Sequence, residues 1–116
     1  METKKIFVAD DDRDLLYFIS TILRRDGYDV VASPHAEDLL KQPLQSFDLI
    51  LLDENMPDIR GSELCRQLRA GVNVPILLVS ANGDIKSLAG TCGATDYIEK
   101  PFSTHQLLNT VHKYTA

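Results

Sequence analysis

Apolar residues fall along this chain in two alternating patterns. Ile6-Phe7-Val8-Ala9, Tyr28 to Ala32, Leu49-Ile50-Leu51-Leu52, Val74 to Val79 and Tyr97-Ile98 are short, mostly apolar runs bounded by polar or turn residues. Such runs suit strands of a parallel sheet covered on both faces. Between them, apolar residues recur at helical spacing. Leu15, Phe18, Ile19, Ile22 and Leu23 form one stripe opposite Arg13, Asp14, Arg24 and Arg25. Leu39 and Leu40, then Leu64, Cys65 and Leu68, then Ile85 to Thr91, and finally Leu107, Leu108 and Val111 supply four more.

Punctuation residues agree with this division. Asp12 is a plausible N-cap and Gly27 a stop for the first helix. Ser33-Pro34 offers an N-cap followed by Pro at the first helical position, so a second helix is expected to run until just before Pro43. Gly61-Ser62 opens a third helix that ends near Gly71, and Gly90 weakens a short fourth by about 1 kcal/mol relative to Ala. Ser103 and Gln106 form a capping box for the fifth. The fold expected is α/β: a (βα)5 doubly wound, flavodoxin-like parallel sheet of five strands in order 2-1-3-4-5, one domain over residues 1–116.

In a parallel sheet all strand ends lie on one edge, and four of the five deliver a polar group there. Strand one ends in Asp10 and Asp11, strand three in Asp53, strand four in Ser80, strand five in Lys100. The order reverses between strands one and three, so both acidic groups line the crevice where open α/β sheets bind ligands. Clustered carboxylates favour a divalent cation, and Mg²⁺ prefers oxygen ligands. Asp10, Asp11, Asp53 and the backbone carbonyl of Asn55 are the candidate metal ligands, with Mn²⁺ as an alternative ion. Asp53 is also a candidate nucleophile toward a phosphoryl donor, with Lys100 and Ser80 contacting the transferred group. Each residue alone is more simply a helix cap, a turn residue or a solvated charge; their joint placement carries the reading.

Composition narrows the classes further. The net charge of −5 disfavours a nucleic-acid surface, and four of the acids are Asp10, Asp11, Asp12 and Asp53, at the candidate site. No stretch has the length of a membrane span. The N-terminus lacks a signal-peptide pattern, and Cys65 and Cys92 lack any CxxC spacing, so buried thiols in a reducing cytoplasm are expected.

The same residues carry a resemblance. The acidic turn Asp10-Asp11-Asp12, the run Asp48 to Asp53 with Met56-Pro57 and Gly61, the pair Ser80-Ala81, and Gly93 to Phe102 are together similar to the receiver domains of two-component response regulators, over essentially the whole chain. The resemblance implies that Asp53 is the phosphoacceptor, Asp10 and Asp11 the metal-binding pair, Ser80 the switch hydroxyl and Lys100 the phosphate-sensing lysine. It implies a phosphohistidine donor on a sensor histidine kinase or histidine phosphotransfer protein, and a cis Lys100-Pro101 bond. Tyr97 occupies the aromatic switch position, reporting to the face of the fourth helix, fifth strand and fifth helix. Asn55 and Asn82 flank the path of a hydrolytic water and tune phosphate lifetime. The family also allows a phosphorylation-dependent dimer.

Two departures stand out. The interval from Ser80 to Lys100 is slightly shorter than usual, and Arg60 replaces the small polar or acidic residue common before Gly61. The alternatives are a Mg²⁺-dependent phosphatase using Asp53, a pseudo-receiver that works without phosphorylation, and a flavin carrier of the same fold. Against the first, Asn55 is no general acid and there is no lid. The complete site counts against the second, and the acidic first turn, which repels a cofactor phosphate, against the third. We therefore expect a signalling module, not an enzyme beyond its own phosphorylation and autodephosphorylation, and a stand-alone receiver rather than a fragment.

Overall fold

In the computed structural model, which describes residues 3–116, strands and helices alternate as the patterning demands. The elements are β1 (Lys5–Ala9), α1 (Arg13–Arg25), β2 (Asp29–Ser33), two 3-10 helices (Ala36–Lys41 and Leu44–Ser46), β3 (Leu49–Asp53), α2 (Gly61–Leu68), β4 (Ile76–Ser80), α3 (Ile85–Cys92), β5 (Asp96–Glu99) and α4 (Thr104–Thr115). All five strands are parallel in the order β2-β1-β3-β4-β5. Residues 1 and 2 of the expected domain lie outside the described residues. No described helix is long and apolar enough to cross a membrane.

Side-chain alternation along the strands builds two cores. Ile6, Val8, Leu49, Leu51, Leu77, Val79 and Ile98 point to the face covered by α1 and α4, where Leu16, Ile19, Leu23, Leu107 and Val111 meet them. Phe7, Ile50, Leu52, Ile76 and Leu78 point to the other face, against α2, α3 and the first 3-10 helix. β3 and β4 are buried along their whole length, as expected for central strands.

The second crossover corrects the sequence reading. Ser33 does not cap an α-helix: it ends β2, and its Oγ accepts from the His35 N–H at 3.0 Å while donating to Asp38 at 2.6 Å. The freed N–H groups of Ala36 and Glu37 are capped instead by Asp58, across 3.3 and 2.8 Å. Only Ala36 and Leu39 are buried here, three residues apart, while Leu40 is 51% exposed. That spacing is the three-residue repeat of a 3-10 helix, whereas an α-helix would have placed Leu39 and Leu40 together on one broader face. In α1 the inward stripe is also shifted: Leu16 is buried and Phe18 is 44% exposed. The capping box of Ser103 and Gln106 forms as expected.

The short α3 is anchored from outside itself. Arg69, at the end of α2, donates to the carbonyls of Gly93 (2.6 Å), Val72 (3.1 Å) and Val74 (2.7 Å) and to Thr95 Oγ1 (3.0 Å). One guanidinium therefore joins α2, the loop into β4 and the turn after α3. Arg69→Met keeps most of the aliphatic stem and removes the donors, leaving part-buried carbonyls unpaired. It is expected to cost about 2 kcal/mol in a urea-unfolding measurement.

Candidate functional site

The register explains how distant residues converge. Ala9 pairs with Leu52, so Asp10 and Asp53 stand side by side one step further along adjacent strands. Asp53 pairs with Val79 and Val79 with Ile98, which puts Lys100 two residues beyond that level on the same face. Ser80 and Glu54 follow Val79 and Asp53 by one residue and, by the two-residue period, point to the opposite face. Tyr97, paired with Leu78, shares that second face.

On the first face, Lys100 Nζ lies 3.2 Å from Asp10 Oδ2 and 3.3 Å from Asp53 Oδ1. Asp10 and Asp53 are only 1% and 3% exposed. Burial pushes the Asp53 carboxyl up to about 6, with repulsion from Asp10 adding to it; Lys100 and the Asn55 N–H pull the other way without cancelling it. Burial likewise raises Asp10, against the lowering effect of the Asp12 N–H and Lys100. Burial acts to lower the Lys100 ammonium, but the two carboxylates outweigh it and its pKa is raised. The lysine is thus charged, and it is shared between two acids.

Asp11 is exposed at the rim, and ligand oxygens of Asp10, Asp11 and Asp53 all lie within 4.8 Å of one another. Three hard oxygen donors, one open to solvent, match the preference of Mg²⁺ for carboxylates and retained waters. The residues present fit such an ion.

The remaining candidates are placed less directly. Ser80 is fully buried, and its Oγ accepts from the Asn82 N–H at 2.9 Å. Its backbone carbonyl accepts from the Lys100 N–H at 2.9 Å, but among the described residues its hydroxyl makes no hydrogen bond to Asp53 or Lys100. Asn55 and Asn82 are both exposed, on the loops after β3 and β4. Tyr97 is half-buried against the α2–α3 core. The Lys100–Pro101 peptide is cis.

One site neighbour was not among the candidates. Glu54 is completely buried, and its carboxylate accepts from Ser62 N (2.7 Å) and Ser62 Oγ (2.9 Å). A signal for it was present: Arg60, at the N-cap of α2, has no acceptor side chain, so the helix start must find one elsewhere.

The raised acids fix a pH dependence. A carboxyl with a folded pKa near 6 and an unfolded pKa near 3.9 stabilises the fold at low pH and loses that contribution as pH rises through about 6. Asp38 and Asp58, whose pKa values are lowered, act in the opposite sense and only below about pH 4. Without divalent metal, wild type should therefore lose stability between about pH 4.5 and 7. Asp53→Asn should flatten this loss and gain roughly 1–2 kcal/mol at pH 7.5. Chemical denaturation in a chelator decides it; an Asn variant less stable than wild type at pH 7.5 would contradict the burial argument.

Comparison with known proteins agrees with this geometry. The response regulator receiver domain family matches residues 6–112. Transcriptional regulatory protein SpaR of Bacillus subtilis is 40% identical over 112 residues, 95% of this chain and 51% of that protein. Response regulator ArlR of Staphylococcus saprophyticus is 39% identical over 107 residues, 90% of this chain and 49% of that protein. The chain thus spans about half the length of these relatives. The chemotaxis response regulator CheY4 of Vibrio cholerae superposes with a TM-score of 0.88 at 28% identity, covering 97% of this chain and 99% of that one. Both the sequence match and the superposition run through every strand of the sheet and its acidic edge, and on that ground the chain belongs to the response regulator receiver domains, the phosphoacceptor modules of two-component signalling.

Proposed function

We propose that Asp53 is the residue phosphorylated, and that Asp10, Asp11, Asp53 and the backbone carbonyl of Asn55 hold Mg²⁺ during the transfer. The observation that carries this is the Lys100 ammonium between two buried carboxylates, with Asp11 beside them. Asp53 Oδ attacks phosphorus, the P–N bond of a phosphohistidine breaks, and the imidazole leaves with its electron pair. Bound Mg²⁺ supplies charge compensation for the phosphoryl oxygens. Lys100 moves from the carboxylates to a phosphoryl oxygen, Asp53 alone becomes the acyl phosphate, and Asp10 and Asp11 remain carboxylates that would hold the cation.

Ser80 reads the result. Its Oγ accepts from Asn82, and its own proton donates to no described group, so a spare donor waits at the end of β4. Because it faces away from Asp53, bonding a phosphoryl oxygen requires the β4–α3 loop to swing toward the site. That movement vacates space on the α2–α3 side, where the Tyr97 ring already lies half-buried. The ring turns inward, and the surface of α3, β5 and α4 changes for a downstream partner. Asn55 and Asn82, exposed beside the site, set the rate at which water reaches the acyl phosphate.

The donor is a histidine kinase or a histidine phosphotransfer protein. Its approach is read from the apolar strip of Leu15, Phe18, Pro101 and Phe102, which frames a cavity of about 290 Å³ reaching Lys100. Output is by protein contact, including a phosphorylation-dependent dimer through the α3–β5–α4 face, without direct nucleic-acid binding by this acidic domain. The setting is cytoplasmic, and the chain catalyses nothing beyond its own phosphorylation and dephosphorylation.

Incubation with acetyl phosphate and Mg²⁺, followed by intact mass, tests the assignment. One added phosphoryl group is expected in wild type, and none in Asp53→Asn or in a chelator. An adduct that persists in Asp53→Asn overturns the site, and no adduct in wild type favours a pseudo-receiver.

A further inference from the structure

Glu54 is a charged side chain with no exposed surface, one residue after Asp53, and every polar group it owns is engaged. Its N–H donates to the Val79 carbonyl at 2.9 Å, and its carbonyl accepts from the Gly61 N–H at 3.1 Å. Its two carboxylate oxygens take the Ser62 N–H and hydroxyl, and Arg60 Nη1 approaches to 3.7 Å. The loop from 55 to 60 is therefore tied at both ends to one residue. α2 has no capping side chain of its own, and Glu54 supplies both the acceptor and the negative charge its N-terminus favours.

The tie presses α2 onto the site. A Cβ added at Gly61 would stand 2.5 Å from the backbone oxygen of Asp53, so the first residue of α2 lies directly against that peptide. Asn55, next along the chain, directs its N–H at the Asp53 carboxylate. Further along, Asp58 ties the loop to the first 3-10 helix through the Ala36 and Glu37 N–H groups and Met56 is buried, but neither contact reaches α2, whose hold on the Asp53 peptide runs through Glu54 and Ser62. Glu54 thus stands between the helix and the peptide whose carbonyl would face the cation.

We propose that Glu54 is a positioning residue for phosphoryl transfer: through Ser62 it holds α2 against Asp53 and thereby fixes the Asn55 peptide toward the metal. Arg60, unusual before Gly61, belongs to the same device, its guanidinium partly offsetting a carboxylate that would otherwise be buried beside an already acidic site. The proposal rests on the assignment of Asp53 and Asn55 above.

The test is calorimetric Mg²⁺ affinity, together with the rate of phosphorylation by acetyl phosphate at saturating Mg²⁺. Both are measured where each variant is folded by circular dichroism. Glu54→Ala is expected to weaken Mg²⁺ binding about tenfold, the scale of losing a group that orients a metal ligand, and to slow phosphorylation even at saturating metal. Glu54→Gln keeps an acceptor for the Ser62 N–H and a partner for its hydroxyl, and should restore both. A purely structural cap would instead lower the melting temperature of Glu54→Ala and leave the Mg²⁺ affinity of the folded protein unchanged, which overturns the proposal. So does a Glu54→Gln variant as impaired as Glu54→Ala. Should Glu54→Ala fail to fold, Ser62→Ala decides: intermediate loss of Mg²⁺ affinity is expected, and wild-type affinity contradicts. Wild type that neither binds Mg²⁺ nor takes a phosphoryl group fails the site assignment itself; wild type that does both, with indifferent variants, fails only the role of Glu54.

Discussion

One ammonium stands between two carboxylates that the sheet will not let separate. Asp10 and Asp53 are carried by adjacent hydrogen-bonded strands, and both are nearly out of water. Two like charges that close repel, and desolvation denies them the usual remedy of hydration. Lys100 offsets part of this, from 3.2 and 3.3 Å, but it is one charge against three once Asp11 is counted. The resting site therefore has a negative surplus built into rigid backbone. A divalent cation relieves it, and a phosphoryl group can join the acids only where cations are present. The fold imposes the imbalance, and the chemistry follows from it.

Strand alternation divides the labour of the edge. Asp10, Asp53 and Lys100 share one face, toward α1 and α4, while Ser80, Tyr97 and Glu54 belong to the other, toward α2 and α3. The groups proposed to react and the groups proposed to read or position them are thus on opposite sides of the same strand ends. In the proposed switch, a change at Asp53 would reach the second face through single backbone steps, from Asp53 at the end of β3 to Glu54 just beyond it, and by the displacement of Ser80 at the end of β4. This arrangement gives the proposed switch a short path through rigid elements.

Much of this was legible in the sequence, for identifiable reasons. Central strands of a parallel sheet are apolar on both faces, so β3 and β4 were unmistakable, and the acids that end β1 and β3 stood out against them. Elements resting on weaker signals were read less well. Leu39-Leu40 looked like a helical pair, but the segment between Pro34 and Pro43 buries only Ala36 and Leu39 and settles into 3-10 turns capped by Asp58. Phe18 fitted the periodic stripe of α1 yet faces the groove beside Leu15, Pro101 and Phe102, because the stripe is wider than the surface the sheet offers. A carboxylate next to a strand end reads as solvated, so the sequence pattern does not single out Glu54. Its burial depends on a long-range partner, Ser62, which composition and periodicity do not reveal.

The charge argument is tested most directly by Mg²⁺ titration calorimetry at pH 8, comparing wild type with Lys100→Met and Asp53→Asn. If the negative surplus draws the cation and Lys100 competes with it, removing the ammonium tightens Mg²⁺ binding and removing the Asp53 carboxylate weakens it. Equal affinity in all three proteins, or weaker binding in Lys100→Met, would contradict the account.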